Sequence, residues 1–255
     1  RIKTQEEIEI LRENAILVSK TLAEVGKHIA PGITTMELDR IAEKFIRDNG
    51  AEPGFLGYGG FPYTLCVSVN DVVVHGFPSD YHLKDGDIVS VDCGTIYKGF
   101  YGDSAYTFPV GNVSDETRKL LDVTKESLYR GIEKAVAGNR VGDIGHAVQS
   151  YAESYGFSVV REFVGHGIGK NMHEHPEVPN YGRIGSGKKL IKGMTICIEP
   201  MVNAGEKSIY LHDNGWAVST LDKKYSAHFE LTVAITDNGP DVLSTFDYIE
   251  GKRQY

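Results

Sequence analysis

Four carboxylates stand where a strand would be expected to bury apolar residues. Asp92 lies in the run DIVSVDCG, Asp103 in FYGDSAYTF, Glu199 in TICIEPMV and Glu230 in AHFELTVAI. None of these segments contains Lys or Arg. A buried carboxylate without a partner is costly, so each needs a cation, a metal ion or a raised pKa. Asp92 and Asp103 flank GTIYKGF, which reads as a hairpin. A turn centred on Tyr97-Lys98 would set the two acids directly opposite each other. Opposed Cβ atoms lie about 4.5–5.5 Å apart, and like charges that close repel unless a cation lies between them. Hard divalent cations take carboxylate oxygens, and borderline ones also take imidazole. Taken alone, the spacing fits a turn-capping acid pair equally well.

Three histidines extend the set. His166 sits between glycines in FVGHGIG, His173 follows in NMHEHPEV, and His75 ends the apolar run VVVH. A single histidine in such a place reads as an ordinary core or surface residue. Three of them beside four embedded acids read as candidate metal ligands. Other chemistries are poorly supported. His173 and His175 are two residues apart, not four, so they do not share a helical face as in HExxH. GHGIG lacks the full GxGxxG pattern, and no GxxxxGK[ST] loop or GxSxG elbow is present. Cys66 reads as a pocket or core residue rather than a nucleophile.

The elements that must carry these groups follow from periodicity. Thr4 and Glu7 form a capping box that opens a helix. Apolar residues recur from Ile8 through Leu11, Ala15, Val18, Leu22 and Val25 to Ile29, with Pro31-Gly32 as the stop. A second capping box, Thr34 and Glu37, opens a helix that ends at Asn49-Gly50. Two further helices are predicted over about 114–137, stopped by Gly138, and 141–155, stopped by Gly156. Displacing the chain by 106 residues carries Gly32 onto Gly138 and Gly50 onto Gly156. This suggests a duplicated helix–helix–sheet unit, although two unrelated helical hairpins would give the same signal. Strands are predicted over 64–69, 72–75, 87–93 and 103–109, then over 158–161, 194–201, 216–219 and 227–235. Helices flanking short antiparallel strands predict an α+β domain. With no linker in sight, residues 1–255 read as a single domain with halves at about 4–110 and 111–247.

Composition limits the remaining classes. The chain has 255 residues, with 27 Lys plus Arg against 35 Asp plus Glu, a formal net charge of −8. That balance argues against a dedicated nucleic-acid binder. Hydrophobic residues make up 41% and charged residues 24%, which excludes a disordered chain. The three cysteines, Cys66, Cys93 and Cys197, are odd in number and widely spaced, so a reducing compartment is expected rather than a disulfide framework. No apolar run is long enough to span a membrane. The first residue is not Met, so the sequence is expected to begin inside a longer chain or after processing.

The order Asp, Asp, His, Glu, Glu resembles the five-ligand site of the methionine aminopeptidases, of the M24 peptidase family. The local contexts NDVVVHG, VSVDCGTIYKGFYGDSAYTF, GHGIGKNMHEHP, TICIEP and SAHFELT match in order. The resemblance runs from about Thr4 to Asp247 and implies the two-halved pita-bread fold around a curved antiparallel sheet. With 25 residues between His173 and Glu199, there is no room for the helical insertion of type II enzymes, so type I is implied. It further implies two divalent metal ions per chain (cobalt, manganese, iron or zinc), held by Asp92, Asp103, His166, Glu199 and Glu230. Asp103 and Glu230 would bridge the pair, and Glu199 would also shuttle a proton. His75 and His173 would touch the substrate and the tetrahedral intermediate. Tyr58, Phe61, Cys66, Met172 and Trp216 would bind the methionine side chain. Met172 stands where many relatives carry an aromatic residue, Phe55 where a small residue is common, and His175 where an acid is common. The implied partners are peptide or nascent-chain N-termini near the ribosome, with no membrane and no direct nucleic-acid contact, for a cytoplasmic monomer. Two alternatives share the fold. An X-Pro peptidase would usually carry an additional N-terminal domain, and a non-enzymatic peptide-binding member would usually have lost ligands.

Overall fold

The computed structural model describes residues 1–251. Its first half contains helices α1 (Gln5–Gly26) and α2 (Thr35–Asp48), followed by strands β1 (Glu52–Pro53), β2 (Leu65–Val69), β3 (Val72–Val74), β4 (Ile88–Tyr97) and β5 (Phe100–Pro109). The second contains α3 (Asp115–Ile132) and α4 (Val141–Ser154), then β6 (Ser158–Val159), β7 (Gly165–Gly167), β8 (Glu174–Val178), β9 (Thr195–Ile198), β10 (Met201–Asn203) and β11 (Ile209–Leu211). It continues through β12 (Val218–Thr220), β13 (Ser226–His228), β14 (Leu231–Thr236), β15 (Gly239–Val242) and a short helix α5 (Asp247–Glu250).

Local sequence explains the helix starts. Both capping boxes form: Thr4 and Thr34 accept from the backbone N–H of Glu7 and Glu37, whose carboxylates accept in return. At α4 the Asp143 carboxylate likewise accepts from the Arg140 N–H at 2.7 Å. The 106-residue offset recurs in the elements themselves. Helix α4 lies 106 residues after α2 at both ends, and β6 lies 106 after β1. Gly32 and Gly138 both take positive φ, 101° and 99°, and donate to the carbonyls of Leu83 and Leu190.

Those same glycines correct two predicted helix ends. Helix α1 stops at Gly26, before Pro31-Gly32, and α3 stops at Ile132, before Gly138. The glycines shape the loops beyond, which pair with distant carbonyls instead of extending the helix. Gly26 lies against Phe108; a Cβ there would be 2.7 Å from the ring.

Strands β1, β4 and β2 form one antiparallel sheet, with β5 paired to the long β4. The order β15-β14-β9-β7-β8 forms a second, and two three-stranded sheets, β13-β10-β6 and β11-β12-β3, complete the layer. The halves meet where Glu230 and Ala105 exchange backbone hydrogen bonds. Ser104 Oγ also donates to the Glu230 carbonyl at 2.6 Å, and Thr232 Oγ1 to the Asp103 carbonyl at 3.0 Å. One apolar cluster runs across this seam, from Val18, Leu22 and Leu38 to Leu128, Ile144 and Ile198.

The β4–β5 register differs from the predicted one. Asp92 pairs with Ala105, and Asp103 with Gly94. The turn centres on Lys98-Gly99, whose φ values are 51° and 77°. Two left-handed residues make the hairpin turn whose twist matches the flanking strands. The error is two residues, so both acids keep the same face. They are diagonal neighbours rather than direct opposites.

Two predicted strands are each broken in two. The run 194–201 divides at Glu199-Pro200, because Pro200 has no N–H for a ladder. The run 227–235 divides at Phe229-Glu230, where Glu230 turns to pair with Ala105. At each break the chain passes between the five-stranded sheet and β13-β10-β6.

Candidate metal centre

The central cavity, of about 180 Å³, is lined by Asp92, Asp103, His166, Glu199 and Glu230 on its polar side. Asp92 comes from β4, Asp103 from β5 and His166 from β7, while the two glutamates stand at the strand breaks. All five are buried, Glu230 to 1% exposure. His166 Nε2 lies 3.6 Å from Asp103 Oδ2 and 3.4 Å from Glu199 Oε1. Among the described residues, no Lys or Arg lines the cavity.

This concentration of acids is electrostatically unbalanced. Burial pushes the Asp92 carboxyl up to about 6, even though nearby His228 favours its ionised form. Asp103 is driven well above the usual carboxylate range by burial and then by Glu230, Asp92 and Glu199. Glu199 is raised by burial and Asp92, and Glu230 by burial, Glu199 and Asp92. Burial and neighbouring His173 lower His166 to about 4, leaving a neutral imidazole able to ligate. Asp92 Oδ1, Asp103 Oδ1 and Glu230 Oε1 are buried without a hydrogen-bond partner among the described residues. Donor atoms of Asp103, His166, Cys197 and Glu230 lie within 4.8 Å of one another, as do those of Asp92, His228 and Glu230. Orphaned carboxylate oxygens converging with a neutral imidazole fit a divalent cation.

The apolar side of the cavity is built from the cluster Phe55, Phe61, Cys66 and Met172, with Trp216 packed against it. Cys66 is there because it pairs directly with Asp92 across β2 and β4. Its thiol is raised well above its ordinary value by burial and by Asp92, which keeps it protonated. Phe61 meets Trp216 edge to face, with ring centres 5.2 Å apart. Tyr58 stands at the mouth, its hydroxyl 2.8 Å from His173 Nδ1. His173 lies edge-on to His166, with ring centres 4.4 Å apart. His75, in the left-handed region at φ 58°, is held edge-on by Phe163 and Trp216. Burial, His228 and His173 lower it to about 4.

Every site residue selected from sequence lines this one cavity. His175 does not; it is exposed and lines a separate groove. Sequence reasoning missed His228, Cys197 and Phe163. His228 was within reach, because it lies two residues from Glu230 in a strand-like run. Cys197 gave no signal apart from its place two residues before Glu199. Its thiol is raised by burial, Glu230 and Asp103.

Comparison with known proteins narrows the interpretation. The model of metallopeptidase family M24 matches residues 9–237. The chain is 54% identical over 243 residues to the methionine aminopeptidase of Clostridium perfringens, covering 95% of this chain and 98% of the relative. It is 52% identical over 242 residues to methionine aminopeptidase 1 of Bacillus subtilis, with the same coverage. The crystal structure of the Rickettsia prowazekii methionine aminopeptidase superposes with a TM-score of 0.95 at 41% identity, over 96% of this chain and 99% of that one. The molecule therefore has the pita-bread fold. Agreement over nearly the whole length of both partners, in sequence and in backbone, means that the chain belongs to metallopeptidase family M24.

Proposed function

We propose that the protein is a metal-dependent aminopeptidase that removes the N-terminal methionine of peptides and nascent chains. The observation that carries this reading is the buried donor set, with its orphaned oxygens, beside an apolar pocket. Asp92, Asp103, His166, Glu199 and Glu230 would hold two divalent ions. Such ions supply positive charge, Lewis acidity and a lowered pKa for water.

The chain's own residues do the rest. Phe61, Cys66, Met172 and Trp216 accept the methionine side chain, with Tyr58 at the rim. Sulfur–aromatic contacts add about 0.3–1.5 kcal/mol to the burial of that side chain. Glu199, whose Oε1 lies 3.4 Å from His166 Nε2 at the polar side of the cavity, would take a proton from the attacking water and return it to the leaving amine. Burial lowers His173, so its ring is neutral near pH 7. In the tautomer in which the Tyr58 hydroxyl donates to Nδ1, the ring proton sits on Nε2, free to donate to the developing oxyanion. Oxyanion donors of this kind contribute about 3–4 kcal/mol. His75, also neutral, would contact the substrate.

We read residues 1–255 as one catalytic domain whose halves, about 4–110 and 111–247, each supply part of the site. Among the described residues no helix is long and apolar enough to cross a membrane. A cytoplasmic monomer acting close to the ribosome completes the proposal.

The test is chelation followed by add-back of cobalt, manganese, iron or zinc. Metal-restored release of Met from Met-Ala-Ser, weak from Met-Leu-Ser, is expected. Equal release from both would remove the preference for a small second residue. Faster hydrolysis of a Gly-Pro dipeptide would favour the X-Pro reading. Failure to bind a divalent ion would favour a binding module. Wild-type turnover by Glu199→Ala would refute the proton-shuttle role.

A further inference from the structure

The mechanism above uses three histidines and leaves a fourth, His228, without a task. His228 ends β13 and is 1% exposed. Its backbone is fixed twice by one hydroxyl. Its N–H donates to Thr107 Oγ1 at 2.9 Å, and its carbonyl accepts from that group at 2.7 Å. The ring therefore leaves the strand in a defined direction, and its Nε2 lies 3.4 Å from Glu199 Oε2. The other oxygen, Oε1, lies 3.4 Å from His166 Nε2. Glu199 is thus bracketed, one imidazole to each oxygen. His228 Nε2 is buried with no hydrogen-bond partner among the described residues. The pair is within reach of a hydrogen bond but not aligned as one, so holding Oε2 takes a small reorientation of the ring or the carboxylate.

The geometry points to His228 as the positioning residue of Glu199: its Nε2–H holds Oε2, and Oε1 is thereby presented on the His166 side of the cavity. The inference rests on the metal-centre reading given under the proposed function. Its physical basis is general. A ligating carboxylate bound to one oxygen can still rotate, and a donor on the second oxygen removes that freedom. The rival role is direct ligation, since His228 also converges with Asp92 and Glu230.

The test compares His228→Gln with His228→Leu by calorimetric titration of chelated protein with cobalt(II). The Gln amide reaches about as far as Nε2 and can donate to Glu199; Leu cannot. Leu should weaken the cobalt Kd by about 10–100-fold, while the metal-free Tm stays within a few degrees of wild type. Gln should restore the Kd to within about threefold of wild type. If Leu is not tolerated, His228→Asn, whose amide falls short, carries the same expectation. An unchanged Kd in Leu or Asn, or equal weakening in Gln and Leu, overturns the positioning role. So does a lowered metal-free Tm with unchanged Kd, which marks a purely structural residue. The cobalt absorption spectrum separates direct ligation. The Gln variant should keep the wild-type bands, and a shifted ligand field would mean that an imidazole had left the metal. If wild-type protein fails to bind cobalt at all, the metal-centre reading itself falls, and this inference with it.

Discussion

Replacing Asp92 with Asn measures what the metal centre costs the fold. Asp92 is 8% exposed, one of its oxygens has no partner among the described residues, and burial raises its carboxyl from 3.8 to about 6. A folded-state pKa above the unfolded one contributes stability that is fully present below about pH 4. That stability is lost as pH rises through about 6. The interval corresponds to something on the order of 3 kcal/mol. Asn has nearly the same volume and carries no charge. In chelator, Asp92→Asn should therefore gain on wild type as pH rises from 4.5 to 8, reaching a Tm about 6–12 °C higher for a chain of this size. Saturating manganese(II) should reverse the order at pH 8. Wild type should gain stability by mass action, while the variant, without the proposed ligand Asp92, should gain little and lose activity. Scanning calorimetry in the two buffers decides it. A Tm difference that does not change with pH, or a variant less stable than wild type in chelator at pH 8, would show that Asp92 carries no uncompensated charge. The reasoning from buried acids to metal would then be unsound.

Three further outcomes follow from particular contacts. Asn14, fully buried on α1, donates to the Phe100 carbonyl at 2.6 Å and accepts from the Thr95 hydroxyl, so it clamps the hairpin that carries both aspartates. Asn14→Ala orphans both groups and should cost about 2–5 kcal/mol in denaturant unfolding; a loss under 1 kcal/mol would refute the clamp. A Cβ at Gly94 would fall 2.5 Å from the Phe55 ring, which lines the cavity. Gly94→Ala should cost about 1–3 kcal/mol and raise KM for Met peptides several-fold more than it lowers kcat, and an unaltered KM would count against this placement of Phe55. Asp39, raised to about 6 by burial, accepts from the Leu65 N–H, a bond that Asn can keep. Its sign matches that of Asp92, so the Tm of Asp39→Asn relative to wild type should climb between pH 5 and pH 8; a flat difference would show that its charge is not penalised.

Much of this molecule is written locally. The capping boxes at Thr4 and Thr34 start helices whatever surrounds them, because both partners lie within one turn. Strand periodicity assigned Asp92 and Asp103 to one face, and that assignment survived a two-residue error in register because the pleat repeats every two residues. The acids were visible because a carboxylate in a Val/Ile run is a local contradiction that only distant chemistry can resolve. What sequence could not supply is that distant pairing. The true turn depended on the left-handed geometry of Lys98-Gly99, and the helix ends on loop bonds to Leu83 and Leu190. Glu199 and Glu230 face the aspartates because the strands break beside them and Glu230 bridges to Ala105, more than a hundred residues away. His228 acquired its place from the Thr107 hydroxyl, which bonds its backbone N–H and carbonyl from the other half of the chain. Residue types and their faces were fixed by short-range sterics and periodicity. Only the packing of one half on the other brought β7 and the two strand breaks against β4 and β5, because such contacts depend on surfaces that local sequence does not describe.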